Sequence, residues 1–226
     1  MNTRSVDRTD DPAQRAAYWP IPLVRAVPAA IMAVVITFSL DHSAELGLLA
    51  FGLFAGISGA LVAITAAARL RGTPSRSYLI AQGAVSVLAG VLAFVARETN
   101  VGAIFVLVVT WAVLTGGLEL YSGVRARRRH VAAVDWMTTG GLTLAFGVAF
   151  AFIPPDFTLA FSGEEEGVSG VLDAAVVAVG LLGAYAAIIA VYLVIAGLSA
   201  KWGTDTAPGA TNGAEQGANA VKGETL

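Results

Sequence analysis

Glu119 is the residue in this sequence best placed to do chemistry, because it is a carboxylate within an apolar run of bilayer-spanning length. The run reads WAVLTGGLELYSG from Trp111 and ends in VRARRRH. A charged side chain inside a membrane span is a functional candidate by default. Helical periodicity puts Thr115 and Ser122 on the same side of the helix as Glu119. The sequence therefore predicts an intramembrane polar site made of Glu119, Thr115 and Ser122.

Two interpretations of Glu119 are open at this stage. In the structural one, its carboxylate pairs with an arginine near the inner end of the bundle, such as Arg69 or Arg125, or with hydroxyl groups. In the functional one, it is a protonatable site in the inner half of the bundle. Transport proteins that move protons or ions generally carry several such groups, and here one stands alone. That isolation weighs against a transporter.

The sequence offers no other chemical centre. It has no cysteine, so thiolate metal sites and thiol nucleophiles are excluded. His42 and His130 are predicted at opposite faces of the membrane and cannot form one metal site. Motifs for nucleotide binding, zinc proteases and serine hydrolases are not found. We therefore expect no enzymatic activity and no cofactor.

The composition indicates a membrane protein. Hydrophobic residues make up 56% of the 226 residues and charged residues 13%, against about 45–50% and about 25% in soluble globular chains. A membrane-spanning helix needs about 20 apolar residues, and six segments fit. They are residues 22–40, 46–68, 78–96, 101–124, 134–154 and 172–199.

The basic residues alternate with these six segments. Thirteen of the 14 lysines and arginines fall on one side of the predicted membrane, and Arg97 alone on the other. Because cytoplasmic loops are enriched in basic residues, both termini are predicted to be cytoplasmic. The densest group is an inner-face basic cluster, for which contact with lipid headgroups or a partner is an alternative to a topology signal. It comprises Arg125, Arg127, Arg128 and Arg129.

Internal similarity suggests three tandem helical hairpins. GAVSVLAGVLAFV from Gly83 matches GGLTLAFGVAFAF from Gly140 at an offset of 57 residues, and the second helices match at offsets of 57 and 74. The predicted fold is an all-α membrane protein of six transmembrane helices, within residues 21–200, built from hairpins 21–68, 78–124 and 134–199. Residues 1–20 are predicted as a cytoplasmic tail and 201–226 as a disordered one.

Small residues recur at helical spacing in these hairpins, as expected of helices that pack closely in lipid. Gly52 and Gly56 form one further pair of this kind in the second span. The main predicted helix-packing positions are Gly83, Gly90, Gly116, Gly123, Gly140 and Gly147.

The pattern resembles the HdeD family of small six-span bacterial membrane proteins with short hairpin repeats. GAVSVLAGVLAFV at 83–95 and LTGGLELYSGVRARRR at 114–129 carry the likeness, which covers roughly residues 20–200. The sequence departs from the pattern in the last repeat, where Leu193 takes the place of Glu119 and Ala190 that of Gly116. The resemblance implies a multi-pass protein of the bacterial inner membrane, associated with acid stress and without mapped catalytic residues.

The expected function is therefore that of a non-enzymatic membrane protein of the HdeD type. It would act in envelope or acid-stress tolerance, or as an accessory subunit packed against other membrane proteins. The alternative is a small transporter or channel that uses Glu119. Expected partners are the lipid bilayer and other membrane proteins or further copies of the chain, but not nucleic acid.

Overall fold

In the described part of the chain, six long helices form the bundle, and they coincide with the six predicted apolar segments. The computed structural model describes residues 12–72, 75–98, 101–162 and 169–205. A short helix, α1 (Pro12–Tyr18), precedes them. The long helices are α2 (Pro20–Phe38), α3 (Ala44–Arg69), α4 (Arg76–Ala96), α5 (Val101–Ala126), α6 (Ala133–Ala151) and α7 (Ala174–Asp205).

Within the described residues, five helices are long and apolar enough to cross a membrane. They are Ala13–Phe38, Ala44–Arg69, Arg76–Ala96, Gly102–Ala126 and Ala174–Gly203. Helix α6 is not among the five, since its 19 residues include Asp135 and three threonines. The chain is thus a multi-pass membrane protein by its apolar helices, while six crossings remain a prediction.

The prediction of an all-α fold was wrong in one place, the connection between α6 and α7. Strands β1 (Thr158–Ser162) and β2 (Ser169–Asp173) pair there as an antiparallel hairpin, with Thr158 opposite Asp173. The backbone N–H of Ala174 donates to the carbonyl of Phe157 at 3.0 Å and closes the base of the hairpin. The apolar runs in TLAFS and SGVLD are compatible with short buried strands, but runs of two or three apolar residues are too short to distinguish a strand from a loop. Residues 163–168, which connect the two strands, lie outside the described residues.

Helical structure extends into both of the segments that were predicted as tails. The N-terminal tail contains α1, and α7 continues to Asp205, beyond the predicted boundary at residue 200. Residues 1–11 and 206–226 lie outside the described part of the chain. Helix α1 docks on α7 and brings Gln14 to the start of α6, where its side-chain Oε1 accepts from the N–H of Val131 at 3.4 Å.

The closest helix pairs are α3 with α4, α5 with α6, and α2 with α7. The second helix of each predicted hairpin therefore packs mainly on the first helix of the next, and the last helix packs on the first. Helices α6 and α7, which form one predicted hairpin, touch only loosely. Three tight seams thus join the helices into a closed bundle.

Glycines allow the backbones to meet in these seams. A Cβ added to Gly83 would lie 2.5 Å from the carbonyl oxygen of Gly59, and one added to Gly116 would lie 3.0 Å from that of Gly140. Gly90 and Gly123 make similar approaches to the carbonyls of neighbouring helices, and Gly147 faces Ala112. Gly56 differs, because a Cβ there would meet nothing within 4 Å.

Candidate functional site

Glu119 lies buried between three helices and has partners on two of them. A guanidinium nitrogen of Arg25, on α2, lies 2.8 Å from Glu119 Oε1. The side-chain amide of Gln82, on α4, donates to Glu119 Oε2 at 2.7 Å. Only 4% of the Glu119 side chain and 15% of the Arg25 side chain are exposed. We refer to Arg25, Gln82 and Glu119 as the Glu119 site.

The ion pair forms with an arginine that was not among the predicted partners of Glu119. An arginine so near the start of a span often extends to the membrane interface, but the side chain of Arg25 turns into the bundle. The two arginines proposed as partners have other acceptors: Arg69 donates to the carbonyl of Ala17 at 2.9 Å and Arg125 to the Tyr121 hydroxyl at 3.3 Å. Pairing inside the bundle neutralises two charges that would be costly alone in a low-dielectric medium.

The other two residues of the predicted polar site do not hydrogen-bond to Glu119. Thr115 donates to the carbonyl of Trp111 and Ser122 to that of Leu118, each at 2.7 Å within α5. Thr115 lines a cavity together with Glu119, whereas the carbonyl of Ser122 accepts from Ser75 at 3.2 Å. The structure therefore brings Thr115 to Glu119 but not Ser122. Sequence reasoning missed Gln82, whose one signal was an amide within an apolar span.

A small polar cavity of about 40 Å³ lies beside the Glu119 site, at the centre of the bundle. Among the described residues, none hydrogen-bonds to Gln82 Oε1 or to Ser58 Oγ, although both atoms are buried. A cavity of this size with polar atoms on its wall is large enough for water. The central cavity is lined by Arg25, Phe54, Ser58, Val62, Gln82, Ser86, Trp111, Thr115, Glu119, Thr139, Thr143, Tyr185, Ile189 and Leu193.

The residues around the central cavity occupy corresponding positions of the three predicted hairpins. Offsets of 57 and 74 residues relate Val62 to Glu119 and Glu119 to Leu193. The other lining residues follow the same rule, with one position, that of Ala29, outside the lining. The corresponding sets are Arg25, Gln82 and Thr139; Ser86 and Thr143; Phe54, Trp111 and Tyr185; and Ser58, Thr115 and Ile189.

Three aromatic rings form a layer across the bundle at one end of the central cavity. Phe54, Trp111 and Tyr185 contact one another edge to face, with ring centroids 5.9 to 6.4 Å apart. Trp111 Nε1 donates to Ser86 Oγ at 3.0 Å, and the Tyr185 hydroxyl hydrogen-bonds to Thr143 Oγ1 at 2.9 Å. Each ring precedes the level of Glu119 by eight residues, or about 12 Å along a helix. The layer therefore separates the cavity from the β-hairpin end of the bundle.

A second cavity, of about 120 Å³, lies at the opposite end, where the arginine-rich turns meet. Gln14, Arg69 and His130 line it, and we call it the inner-end pocket. Arg25 and Val62 line both this pocket and the central cavity. Arg25 thus stands between the arginine-rich end of the bundle and the Glu119 carboxylate.

His130 lies on the wall of the inner-end pocket, beyond the end of α5. Its ring stacks on Trp136, with centroids 5.0 Å apart, and its Nδ1 accepts from the N–H of Ala132 at 3.1 Å. Burial lowers the pKa of His130 below its usual range, because a desolvated imidazolium is disfavoured.

We expect this His130 pKa shift to make the protein less stable in acid. Below pH about 6.5 the unfolded chain binds a proton at this histidine that the folded chain resists. The free energy of unfolding should therefore fall as the pH drops from about 6.5 through the lower folded pKa. Thermal unfolding of the detergent-solubilised protein across this range measures it. His130→Phe keeps the ring on Trp136 and should flatten the slope, while His42→Gln should leave the contribution of His130 in place; equal slopes in all three proteins would contradict the assignment.

The inner-face basic cluster lies at the end of α5 and in the turn that follows it. Arg125, Arg127, Arg128 and Arg129 are all exposed. Arg128 has a positive φ of 65°, a left-handed conformation that is unfavourable for residues other than glycine. No group of three or more histidines and acidic residues that would hold a metal ion occurs within the described ranges.

Comparison of the chain with protein-family models, with curated proteins and with solved structures finds no match. Function is therefore inferred from the site itself.

Proposed function

We propose that this chain is a non-enzymatic multi-pass membrane protein that acts in acid-stress tolerance, with Glu119 as its protonatable element. The observation that supports this most directly is the position of Arg25. It pairs with Glu119 at 2.8 Å and also borders the inner-end pocket. Arg25 therefore lies on the path between the inner-end pocket and Glu119. A proton that binds to Glu119 would weaken the ion pair that keeps Arg25 there.

Protonation of Glu119 removes the charge that holds Arg25 inside the bundle. A buried cation without its counter-ion is strongly unfavourable, so Arg25 would extend toward the inner-end pocket that it already lines. The central cavity and the pocket would then join. Gln82 would retain a hydrogen bond to the neutral carboxyl group, which keeps α4 and α5 in register during the change.

The proposal includes six membrane crossings, three tandem hairpin repeats and cytoplasmic termini, in a bacterial inner membrane. Its support is the distribution of basic residues, the corresponding positions around the central cavity and the three glycine- or alanine-lined seams. Reporter fusions at each terminus test the orientation, and an external location of either terminus would overturn it.

Cysteine accessibility tests the protonation step, because the chain has no native cysteine. Ser58 lines the central cavity, so Ser58→Cys supplies a single thiol at its wall. In inside-out vesicles, the rate at which a small charged thiol reagent modifies this cysteine should approach, as the pH is lowered, the rate measured for the same cysteine in a Glu119→Gln background at the same pH. Glu119→Gln mimics the protonated acid and should give the faster modification of the two at neutral pH.

Glu45→Gln, near the opposite end of the bundle, is the matched control and should keep the pH dependence of Ser58→Cys. If modification at neutral pH is no faster in the Glu119→Gln background than with Glu119 present, the proposed release of Arg25 is contradicted. The thiolate fraction of Ser58→Cys also changes with pH, so each rate is compared with the Glu119→Gln protein at the same pH.

A small transporter or channel is the second candidate, favoured by the unsatisfied Gln82 Oε1 and Ser58 Oγ atoms in the central cavity. Polar groups from several helices meet there, and the guanidinium of Arg25 is among them. Glu119 is therefore not an isolated charge in the bundle. Proteoliposomes containing a pH-sensitive dye would report proton flux under an imposed potential. Loss of flux in a folded Glu119→Gln protein supports this function, and flux equal to that of the native protein rejects it.

A further inference from the structure

A groove between α6 and α7 lies apart from the Glu119 site. It has a volume of about 540 Å³ and opens at the arginine-rich end of the bundle. It exists because α6 packs along α5 and α7 packs along α2, so the two helices meet only loosely. The groove is lined by Arg15, Tyr18, Arg127, Arg128, His130, Val131, Ala133, Val134, Asp135, Tyr192, Ile195, Ala196, Ser199 and Ala200.

The rim of the groove is basic. Arg127 and Arg128 are exposed there, and Arg15 contributes a third guanidinium. The one acid, Asp135, accepts hydrogen bonds on both carboxylate oxygens, from the Tyr18 hydroxyl at 2.8 Å and the Tyr192 hydroxyl at 2.9 Å. Its oxygens are thus engaged by protein donors, and the arginines dominate the charge that a ligand would meet.

The flank of the groove that faces away from the bundle is apolar. Val134 is 66% exposed and Ile195 57% exposed, on the two helices that border the opening. Ala196 and Val131 continue this surface into the groove. A basic rim above an apolar flank matches a ligand with an anionic head and a hydrocarbon tail.

The turn after α5, which carries the arginines of the rim, has an unusual backbone conformation. Arg128 takes a left-handed conformation at φ 65°, whereas the turn between α3 and α4 uses Gly72 for the same region, at φ 81°. A side chain at such a position is less favourable than one in the right-handed helical region. The strained turn thus bears an arginine that lines the groove.

We infer that this groove binds an anionic phospholipid. Its phosphate would lie between Arg127 and Arg128, and an acyl chain would run along Val134 and Ile195. The shared chemistry is a phosphate group, and the apolar flank assigns it to a lipid rather than to a free phosphate. This site is independent of the Glu119 site and does not require the function proposed above.

Lipid titration of the purified full-length protein tests the assignment. In a neutral detergent, phosphatidylglycerol should raise the Tm in a saturable manner, whereas phosphatidylcholine and inorganic phosphate should not. Arg127→Gln/Arg128→Gln should weaken the apparent affinity for phosphatidylglycerol roughly 30-fold, since each basic residue near a membrane surface contributes about a fivefold factor.

Arg125→Gln/Arg129→Gln is the matched control, because it removes the same charge from the same segment but from side chains outside the groove lining. It should stay within about twofold of the native protein, because charges outside the site act on the phosphate only through attraction that the salt of the buffer screens. Ser199→Trp fills the exposed mouth of the groove without changing charge and should also weaken binding. It keeps the test decisive if the double arginine variant does not fold.

Three results would overturn the inference. An equal loss in the two double variants would indicate diffuse surface attraction instead of a site. An equal Tm shift with phosphatidylcholine would indicate an apolar surface without headgroup selection. An equal shift with inorganic phosphate would assign the groove to a soluble phosphate compound.

Discussion

Replacement of Arg25 by methionine is expected to lower the free energy of unfolding by about 3–5 kcal/mol, the usual cost of removing one partner from a buried ion pair. The Glu119 carboxylate would remain buried with the Gln82 amide as its one observed hydrogen-bond donor from another helix. Methionine fills much of the same space as arginine, so the decrease in the free energy of unfolding would result mainly from the missing charge and not from lost volume. Reversible unfolding in mixed micelles measures this difference.

The double variant Arg25→Met/Glu119→Gln should recover most of that stability. A glutamine at 119 carries no charge and can still accept a hydrogen bond from Gln82. Arg71→Met, in an exposed turn, is the control for loss of an arginine and should change stability by less than about 0.5 kcal/mol. If the double variant is as unstable as Arg25→Met, the effect lies in packing and the ion pair is not its cause.

Gly59→Ala is expected to destabilise the seam between α3 and α4 by about 1–3 kcal/mol, the range typical of overpacking. The added Cβ would lie 2.6 Å from the carbonyl oxygen of Gly83 and 2.6 Å from the Cβ of Ser86. Both are held by a helix, so relief requires α3 and α4 to move apart. The same unfolding measurement applies.

Gly56→Ala, one turn away on the same helix, should have the opposite sign. A Cβ at Gly56 meets nothing within 4 Å, and alanine is favoured over glycine in a helix by up to about 1 kcal/mol. The pair therefore separates packing from helix propensity. If both variants lose stability to the same extent, the close contact between α3 and α4 at Gly59 is not the cause of the loss.

The sequence predicted the long helices well because the apolar segments end at polar or charged residues. Segment 101–124 corresponds to Val101–Ala126, and 46–68 to Ala44–Arg69. It predicted the connection between α6 and α7 less well, because the short apolar runs there fit a strand, a loop or the start of a helix. Residues 158–162 and 169–173 form strands, although the first lay in a predicted loop and the second overlapped the start of a predicted span.

The Glu119 site was half visible in the sequence. Glu119 stands out because a carboxylate in an apolar run is unusual, and Thr115, predicted on the same side of α5, lines the same cavity. Arg25 was not predicted as part of the site, because its position near the start of a span also fits an arginine at the membrane interface. Its inward orientation follows from the packing of α2 beside α3 and α7, which no local pattern encodes. Gln82 became significant only once α4 was known to face Glu119.

Packing between α2 and α7 limits how many helices the bundle can hold. The first and last long helices cover each other's inner faces, so neither end presents a vacant helix surface on which a further unit would stack. Open arrays such as solenoids lengthen by adding units at a free end. Here an additional pair of helices would first have to displace α2 from α7, and closure of the ring therefore limits the number of helices in the bundle.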